Sequence, residues 1–295
     1  MQFSYFPGCT LHSSAKEFDL STKAVCEKLD IQMVELKNWN CCGATSAHSL
    51  SEKLAIGLAA RNIILAEKAQ ARTPARALDL VMSCAACYNR TKVAQNAFFD
   101  NPGLRSEFME SFKIKSDEVS TQIEAKHLLE VFHEQEIMAQ VHQKVKRPLE
   151  ELKAVCYYGC LLVRPQKITG FDDAENPQFM DDLMKAIGVS VLDWPYKVEC
   201  CGAGLSLTRR DIIAKLSGKL LSRAQQAGAN CIIVACPLCH SNLDLRQKEI
   251  AERTGNEFNL PIFYFTELMG VAFDIPEAPE WLEKHTVDAS SLLKL

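Results

Sequence analysis

No apolar run in this sequence approaches the roughly 18 to 20 residues that cross a bilayer, and even the stretch from Leu54 to Leu65 is interrupted by Arg61 and Asn62. A membrane-spanning helix is not expected. Basic excess is also missing: 33 Lys+Arg stand against 37 Asp+Glu, a net charge of −4, where a phosphate backbone would call for a cationic face. Nucleic acid is therefore not an expected partner. Met1 to His12 lacks the basic segment followed by an apolar stretch that marks a signal peptide, so the expected location is cytoplasmic. Gly202-Ala203-Gly204 lacks the third glycine of a dinucleotide loop, and no Walker motif is present. The C-x2-C-x2-C run of ferredoxins is absent as well. With neither flavin nor ferredoxin motifs, redox chemistry here would draw its electrons from another protein of a complex.

The composition that remains is that of a packed protein, 47% hydrophobic and 24% charged. A chain of 295 residues can build two medium domains. The anomaly is 13 cysteines, because a reducing compartment does not sustain a disulfide framework in a chain of this size. Their order repeats. One half runs Gly8-Cys9, Cys41-Cys42-Gly43, Cys84-Ala85-Ala86-Cys87; the other runs Gly159-Cys160, Cys200-Cys201-Gly202, Cys236-Pro237-Leu238-Cys239. Unequal gaps point to a duplicated fold with altered loops rather than a short solenoid period.

Short apolar runs, Asp79 to Ser83 and Ile232 to Ala235, precede the C-x-x-C pairs. Helical spacing marks Ser49 to Gln70 (Leu54, Leu58, Ile64) and Arg209 to Gly228 (Ile213, Leu216, Leu220). This alternation predicts an α/β protein of two pseudo-symmetric domains with small, largely parallel sheets, divided at 1–148 and 149–295. In such sheets ligand sites gather at the carboxyl ends of strands, where both C-x-x-C pairs fall. The charged segment from Asn89 to Leu152, with a helix over His127 to Gln140, reads as a structural connector.

A C-x-x-C pair alone serves zinc, iron-sulfur and thiol redox sites equally. The tandem Cys-Cys constrains more, because adjacent side chains on a strand point to opposite faces and only a sharp bend turns both towards one centre. Gly43 and Gly202, directly after the two pairs, supply the freedom for that bend. Each half then offers five thiols, more than the four of a tetrahedral zinc site. The surplus points to a non-standard cluster, or to a four-ligand site with a spare redox thiol. Cys26, Cys156 and Cys231 lie outside the repeat in apolar or helical surroundings and are expected to pack as small hydrophobes. His12 and His240, beside motif cysteines, could donate protons or serve structure. Arg164, Lys167 and Asn242 are candidates for meeting polar substrate groups.

The doubled pattern resembles the cysteine-rich CCG domains of the heterodisulfide reductase B-component family along nearly the whole chain. The likeness extends to His127-Leu128-Leu129-Glu130-Val131, Tyr157 to Pro165 (YYGCLLVRP), Pro195 to Gly202 (PYKVECCG) and Val234 to Gln247 (VACPLCHSNLDLRQ). In that family each repeat ligates a noncubane [4Fe-4S] cluster through five cysteines. The resemblance thus implies two clusters, one on Cys9, Cys41, Cys42, Cys84 and Cys87, the other on Cys160, Cys200, Cys201, Cys236 and Cys239. It also implies an oxidoreductase acting on sulfur groups, which cleaves or forms a disulfide between two clusters facing one cleft. Its implied partners are a small iron-sulfur subunit, resembling the C component of heterodisulfide reductase, and a flavin-containing subunit, resembling the A component. The methanogen substrate is the mixed disulfide of coenzyme M and coenzyme B, while relatives in other bacteria use other sulfur substrates. Two further readings stand beside this one: an electron-transfer subunit of a complex oxidising 2-hydroxy acids or succinate, and a zinc-stabilised scaffold.

Overall fold

The computed structural model describes residues 1–71, 78–119 and 123–293. Two parallel sheets of four strands each form the frame. The first contains β1 (Gln2–Tyr5), β2 (Gln32–Glu35), β3 (Leu80–Met82) and β4 (Ala125–His127) in the order β2-β1-β3-β4. The second repeats it with β5 (Lys153–Tyr157), β6 (Ser190–Val191), β7 (Cys231–Val234) and β8 (Ile262–Tyr264) in the order β6-β5-β7-β8. Every residue of β3, β7 and β8 is buried, as parallel strands covered by helices on both faces must be. The expected α/β architecture of paired, small parallel sheets is the one observed.

The segment expected only to connect the halves does more. Ala125–His127 pairs with β3 and completes the first sheet, and the expected helix from His127 divides into Leu128–Phe132 and Gln135–Lys144. A three-residue strand is too short to show a period of two. Its end is set locally instead: His127 caps the following helix by accepting the Leu129 N–H at Nδ1, while the Glu130 carboxylate accepts the His127 N–H at 2.6 Å. The helix expected over Ser49 to Gln70 is likewise two, Ala47–Leu50 and Glu52–Ala71, separated by extended Ser51. Leu54 is exposed there. The core face carries Ala55, Ala59, Ile63 and Ala66, because close helix packing favours small residues that hydropathy ranks low.

The helices after the last strands interlock the halves. Phe265–Ala272 packs on Lys16–Lys28, with Ser21 Oγ 2.7 Å from Thr266 Oγ1 and Phe18 stacked on Tyr264 at 4.0 Å. Reciprocally, Leu128–Phe132 lies against Phe179–Ala186, and His133 stacks on Phe179 at 4.0 Å. One buried apolar cluster runs through both halves in consequence.

A buried ion pair ties the C-terminal segment to this interlock. His285 Nε2 lies 2.9 Å from Glu267, whose other oxygen accepts the Tyr264 N–H. Burial by itself would lower the His285 pKa, but the Glu267, Asp244 and Glu17 charges outweigh it and raise the group to about 9. A histidine raised in the folded state stabilises fully below its unfolded value near 6.5, and that stabilisation disappears as pH climbs through about 9. The expected loss is on the order of 3 kcal/mol. Denaturant titrations at about pH 6 and about pH 9.5 should show it, and Glu267→Gln should flatten the dependence.

Candidate metal centres

In the first half the turn after β1 brings Cys9 towards the Cys-Cys bend. Gly8 has φ +78°, and a Cβ on it would lie 2.7 Å from the Cys87 Sγ, so only glycine lets the backbone pass that thiol. The bend itself is clamped by two asparagines. Asn40 N–H donates to the Asn62 Oδ1 at 3.0 Å, Asn62 Nδ2 donates back to the Asn40 carbonyl at 2.8 Å, and Asn40 Nδ2 donates to the carbonyls of Cys41 and Leu58. Cys84 follows β3 and stands at the residue preceding the helix Ala85–Asp100, whose first turn carries Cys87. Sulfur atoms meet in pairs, Cys9 with Cys41 at 3.4 Å and Cys42 with Cys87 at 3.3 Å.

The second half repeats this geometry. Gly159 has φ +71°, and a Cβ there would meet the Cys239 Sγ at 3.2 Å. Cys201 and Cys239 lie 3.5 Å apart, and the Gly202 N–H donates to the Cys200 Sγ at 3.3 Å, as Gly43 N–H does to Cys41 at 3.4 Å. The Cys201 carbonyl accepts from Ser217 at 3.0 Å and from Asn242 at 3.2 Å. Across the halves the C-x-x-C turns touch: the Ala85 N–H reaches the Ala235 carbonyl at 3.3 Å, and the Cys84 and Cys236 thiols are close enough to shift each other's ionisation. All ten motif cysteines are thus gathered into two neighbouring sets.

The thiols of each set shift one another's ionisation. Hydrogen bonds from Cys41 and Cys87 pull the Cys42 thiol well below the usual range, and bonds from Cys239 and Cys84 do the same for Cys236. The thiols that donate those bonds, Cys41, Cys84, Cys87 and Cys239, are pushed up. Cys200 is drawn down to about 6, mainly by the Cys160 thiol. Crowded thiols that oppose one another's ionisation are brought to the thiolate form together only by positive charge among them. Among the described residues no three His, Cys, Asp or Glu side chains converge as a single ion requires. An all-sulfur set spread in pairs suits a multi-iron core better than one zinc.

The flanking residues fall elsewhere. His12 pairs with Glu35 at 3.1 Å and meets Trp39 edge-on. His240 is buried, bonds the Ile262 carbonyl at 3.1 Å and stacks on Tyr264 at 4.4 Å; burial holds its pKa well below normal. Arg164 is engaged with Glu175 at 2.8 Å, Lys167 is exposed, and Asn242 supports the Cys201 turn. Cys26, Cys156 and Cys231 are fully buried apolar packing, as expected. Sequence reasoning passed over the Asn40–Asn62 clamp and the buried Lys197–Asp181 pair, although Asn40 precedes Cys41 and Lys197 lies within PYKVECCG.

A cavity of about 200 Å³ opens on the second set, Cys160, Cys200, Cys201, Cys236 and Cys239. Its opposite wall comes from the first half through Ala44, Thr45, His48 and Ala85. The cleft expected to be faced by thiols of both halves is therefore asymmetric: no first-half cysteine lines this one among the described residues. Gly8→Ala should force the Cys9 turn off Cys87 and strain its φ, lowering cofactor content in the first half by metal analysis, while Gly204→Ala, with open space at its Cβ and no left-handed φ, should leave it unchanged.

Comparison with known proteins follows this geometry. The CCG cysteine-rich domain matches residues 3–91 and 154–244, the two repeats. The membrane anchor protein of the 8-methylmenaquinol:fumarate reductase of Wolinella succinogenes is 29% identical over 99% of both chains. The B component of the ferredoxin/F(420)H(2)-dependent CoB-CoM heterodisulfide reductase of Methanosarcina acetivorans is 27% identical over 97% of this chain and 94% of its own. No helix among the described residues is long and apolar enough to cross a membrane. A crystal structure of a hypothetical protein from Helicobacter pylori shares the fold, with a TM-score of 0.75 and 14% identity over 98% of this chain, which spans 52% of that one. Two matched repeats, each with its G-C, C-C-G and C-x-x-C cysteines drawn together, make this chain a member of the CCG cysteine-rich domain family.

Proposed function

We propose that the chain is the catalytic iron-sulfur subunit of a cytoplasmic multi-subunit oxidoreductase acting on sulfur groups. Cys9, Cys41, Cys42, Cys84 and Cys87 would hold one [4Fe-4S] cluster, and Cys160, Cys200, Cys201, Cys236 and Cys239 the other, both of the noncubane type. Such clusters supply one-electron transfer and iron open to a sulfur ligand. The catalytic reading is reduction, or reverse formation, of a disulfide at the second site: two electrons and two protons break one S–S bond and release two thiols. The cavity against Cys160 and Cys200 supports it: the cluster would occupy the side bearing the thiols, and the exposed Thr45 and His48 of the first half would leave the other side open to an incoming sulfur. The contact between Cys84 and Cys236 supports a short route for the two electrons between the halves.

The chain's own residues set the stage. Gly159 lets the backbone close over Cys239, Asn242 and Ser217 fix the Cys201 carbonyl, and Ala44 with Thr45 walls the cavity from the other half. Electrons would enter from two partners resembling components of heterodisulfide reductase, a small iron-sulfur protein like its C component and a flavin-containing protein like its A component. A second reading, a relay serving succinate or fumarate or a 2-hydroxy acid, is favoured by the Wolinella succinogenes relative.

Anaerobically isolated protein decides between them. Thiol added to the oxidised form should perturb the magnetic resonance spectrum, and dithionite should drive consumption of a disulfide. If no thiol alters the spectrum and no disulfide is consumed, the relay reading takes the place of the catalytic one.

A further inference from the structure

The duplicated fold allows a comparison within one molecule. In each half a long helix follows the Cys-Cys-Gly bend, Glu52–Ala71 in the first and Arg210–Gln226 in the second. The first matches its cations within the chain. Lys53 pairs with Glu107, Lys68 pairs with Glu118 at 3.1 Å, and Arg61 donates to the Asn38 carbonyl at 2.7 Å. The second does not. From Ala203 to Gln226 stand five exposed cations, Arg209, Arg210, Lys215, Lys219 and Arg223, against one acid, Asp211, which Arg209 already holds at 2.7 Å. Glu199 answers Lys219 at 3.9 Å, which leaves Arg210 and Lys215 without a carboxylate among the described residues.

Helix stability gives no reason for this charge. Arg209 and Arg210 stand at the helix N-terminus, where the backbone dipole disfavours cations, and Lys215, Lys219 and Arg223 repel one another at four-residue spacing along one stripe. The stripe borders the second thiol set. Lys219 and Arg223 lie 4.9 and 5.8 Å from the ring of Tyr196, in the segment that leads through Glu199 to the exposed thiol of Cys200. The turn leaving Cys201 holds Leu207 at 95% exposure just before the helix begins. A bare leucine and an aromatic ring beside arginines have the composition of a contact surface. Charge then selects the occupant. A chain of net charge −4 repels acidic proteins at long range, so a local cationic stripe beside a redox site steers such a protein to this one place.

We infer that the helix Arg210–Gln226, with Tyr196 and Leu207, docks an electron-carrier protein whose redox centre is surrounded by acidic residues. The reduced carrier passes one electron per encounter to the iron-sulfur site on the second thiol set and leaves oxidised. This docking rests on the reading of the chain as an iron-sulfur subunit supplied with electrons from outside, and it adds the face and the charge of the supplier.

The experiment titrates anaerobically isolated, iron-loaded protein by calorimetry with an acidic plant-type ferredoxin, an acidic flavodoxin and basic cytochrome c. Vesicles with and without phosphatidylserine form a further arm. At least one acidic carrier should bind more tightly than cytochrome c, the reverse of the order that net charge gives, and its affinity should fall as salt rises. The triple variant Lys215→Glu, Lys219→Glu, Arg223→Glu should weaken that binding at least about tenfold and slow reduction by the carrier, with iron content and reduction by dithionite unchanged. Reversing Lys16, Lys113 and Lys284, exposed lysines on other elements, alters net charge equally and should change binding by less than about threefold. Tighter binding of cytochrome c, equal loss from the two triple variants, undiminished binding in the stripe variant, or capture of phosphatidylserine vesicles in place of both acidic carriers overturns the docking. Dithionite-driven consumption of a disulfide leaves the functional reading standing in each of those cases, and its failure in the unaltered protein overturns that reading whatever the carriers do.

Discussion

Exchange of Cys160 and Cys200 for alanine is expected to remove about half the iron and sulfide, from roughly eight of each to roughly four, and to abolish disulfide turnover. Exchange of Cys9 and Cys41 should remove the other half and also stop turnover, because two electrons must be delivered together to break one S–S bond. The two variants should differ in one respect. Since the cavity touches only second-half thiols, the spectral response to added thiol should vanish in the Cys160/Cys200 variant and persist in the Cys9/Cys41 variant. These cysteines suit the test because they lie on the exposed side of each set, away from the Cys84–Cys236 contact whose loss would disturb both halves. Cys26→Ala and Cys231→Ala serve as controls. Burial keeps both thiols protonated, and each change should cost about 1 kcal/mol in packing with no loss of iron. Equal iron loss from all the variants would sink the assignment.

Asp181→Ala should destabilise the protein by about 3 to 5 kcal/mol, the usual consequence of leaving one member of a buried ion pair alone. Lys197 Nζ lies 2.7 Å from Asp181 and 2.9 Å from the Pro177 carbonyl, and both side chains of the pair are almost wholly inaccessible. Removal of the carboxylate would leave the ammonium with a single carbonyl and the Tyr158 hydroxyl without its acceptor. The effect reaches the cysteine set, because the Lys197 carbonyl accepts the N–H groups of Tyr158 and Gly159 at 2.9 and 3.0 Å and so holds the Gly-Cys turn against the turn that leads into Cys200. Lys197→Met combined with Asp181→Ala should recover part of the loss, since no unpaired charge remains. Denaturant midpoints of the three variants measure this; a single-variant loss below about 1 kcal/mol would show that the pair contributes little.

The cysteine sets were legible in the sequence because a duplicated order of G-C, C-C-G and C-x-x-C is a local signal, and because glycine at positions 8 and 159 is demanded by backbone geometry rather than by distant packing. β3 and β7 were legible for a similar reason: a run buried on both faces has to be continuously apolar. Signals of that kind survive without knowledge of what packs where. β4 carried none, since Lys126 interrupts its three residues and its place comes from pairing with β3. Leu54 failed differently, through the assumption that the most hydrophobic residue of a helix faces inward.

The sequence by itself determined the α/β class and the repeat, both of which follow from short-range pattern and backbone sterics. Only the tertiary structure decided that the two C-x-x-C turns meet at Cys84 and Cys236, that Asn242 and His240 are structural supports, and that the cavity opens on one set of thiols alone. Those outcomes depend on how the helices Phe265–Ala272 and Leu128–Phe132 cross to the opposite half. Contacts between residues far apart in the chain leave no periodic trace in it, because the free energy that selects them is the burial of surfaces that exist only once both sheets have formed.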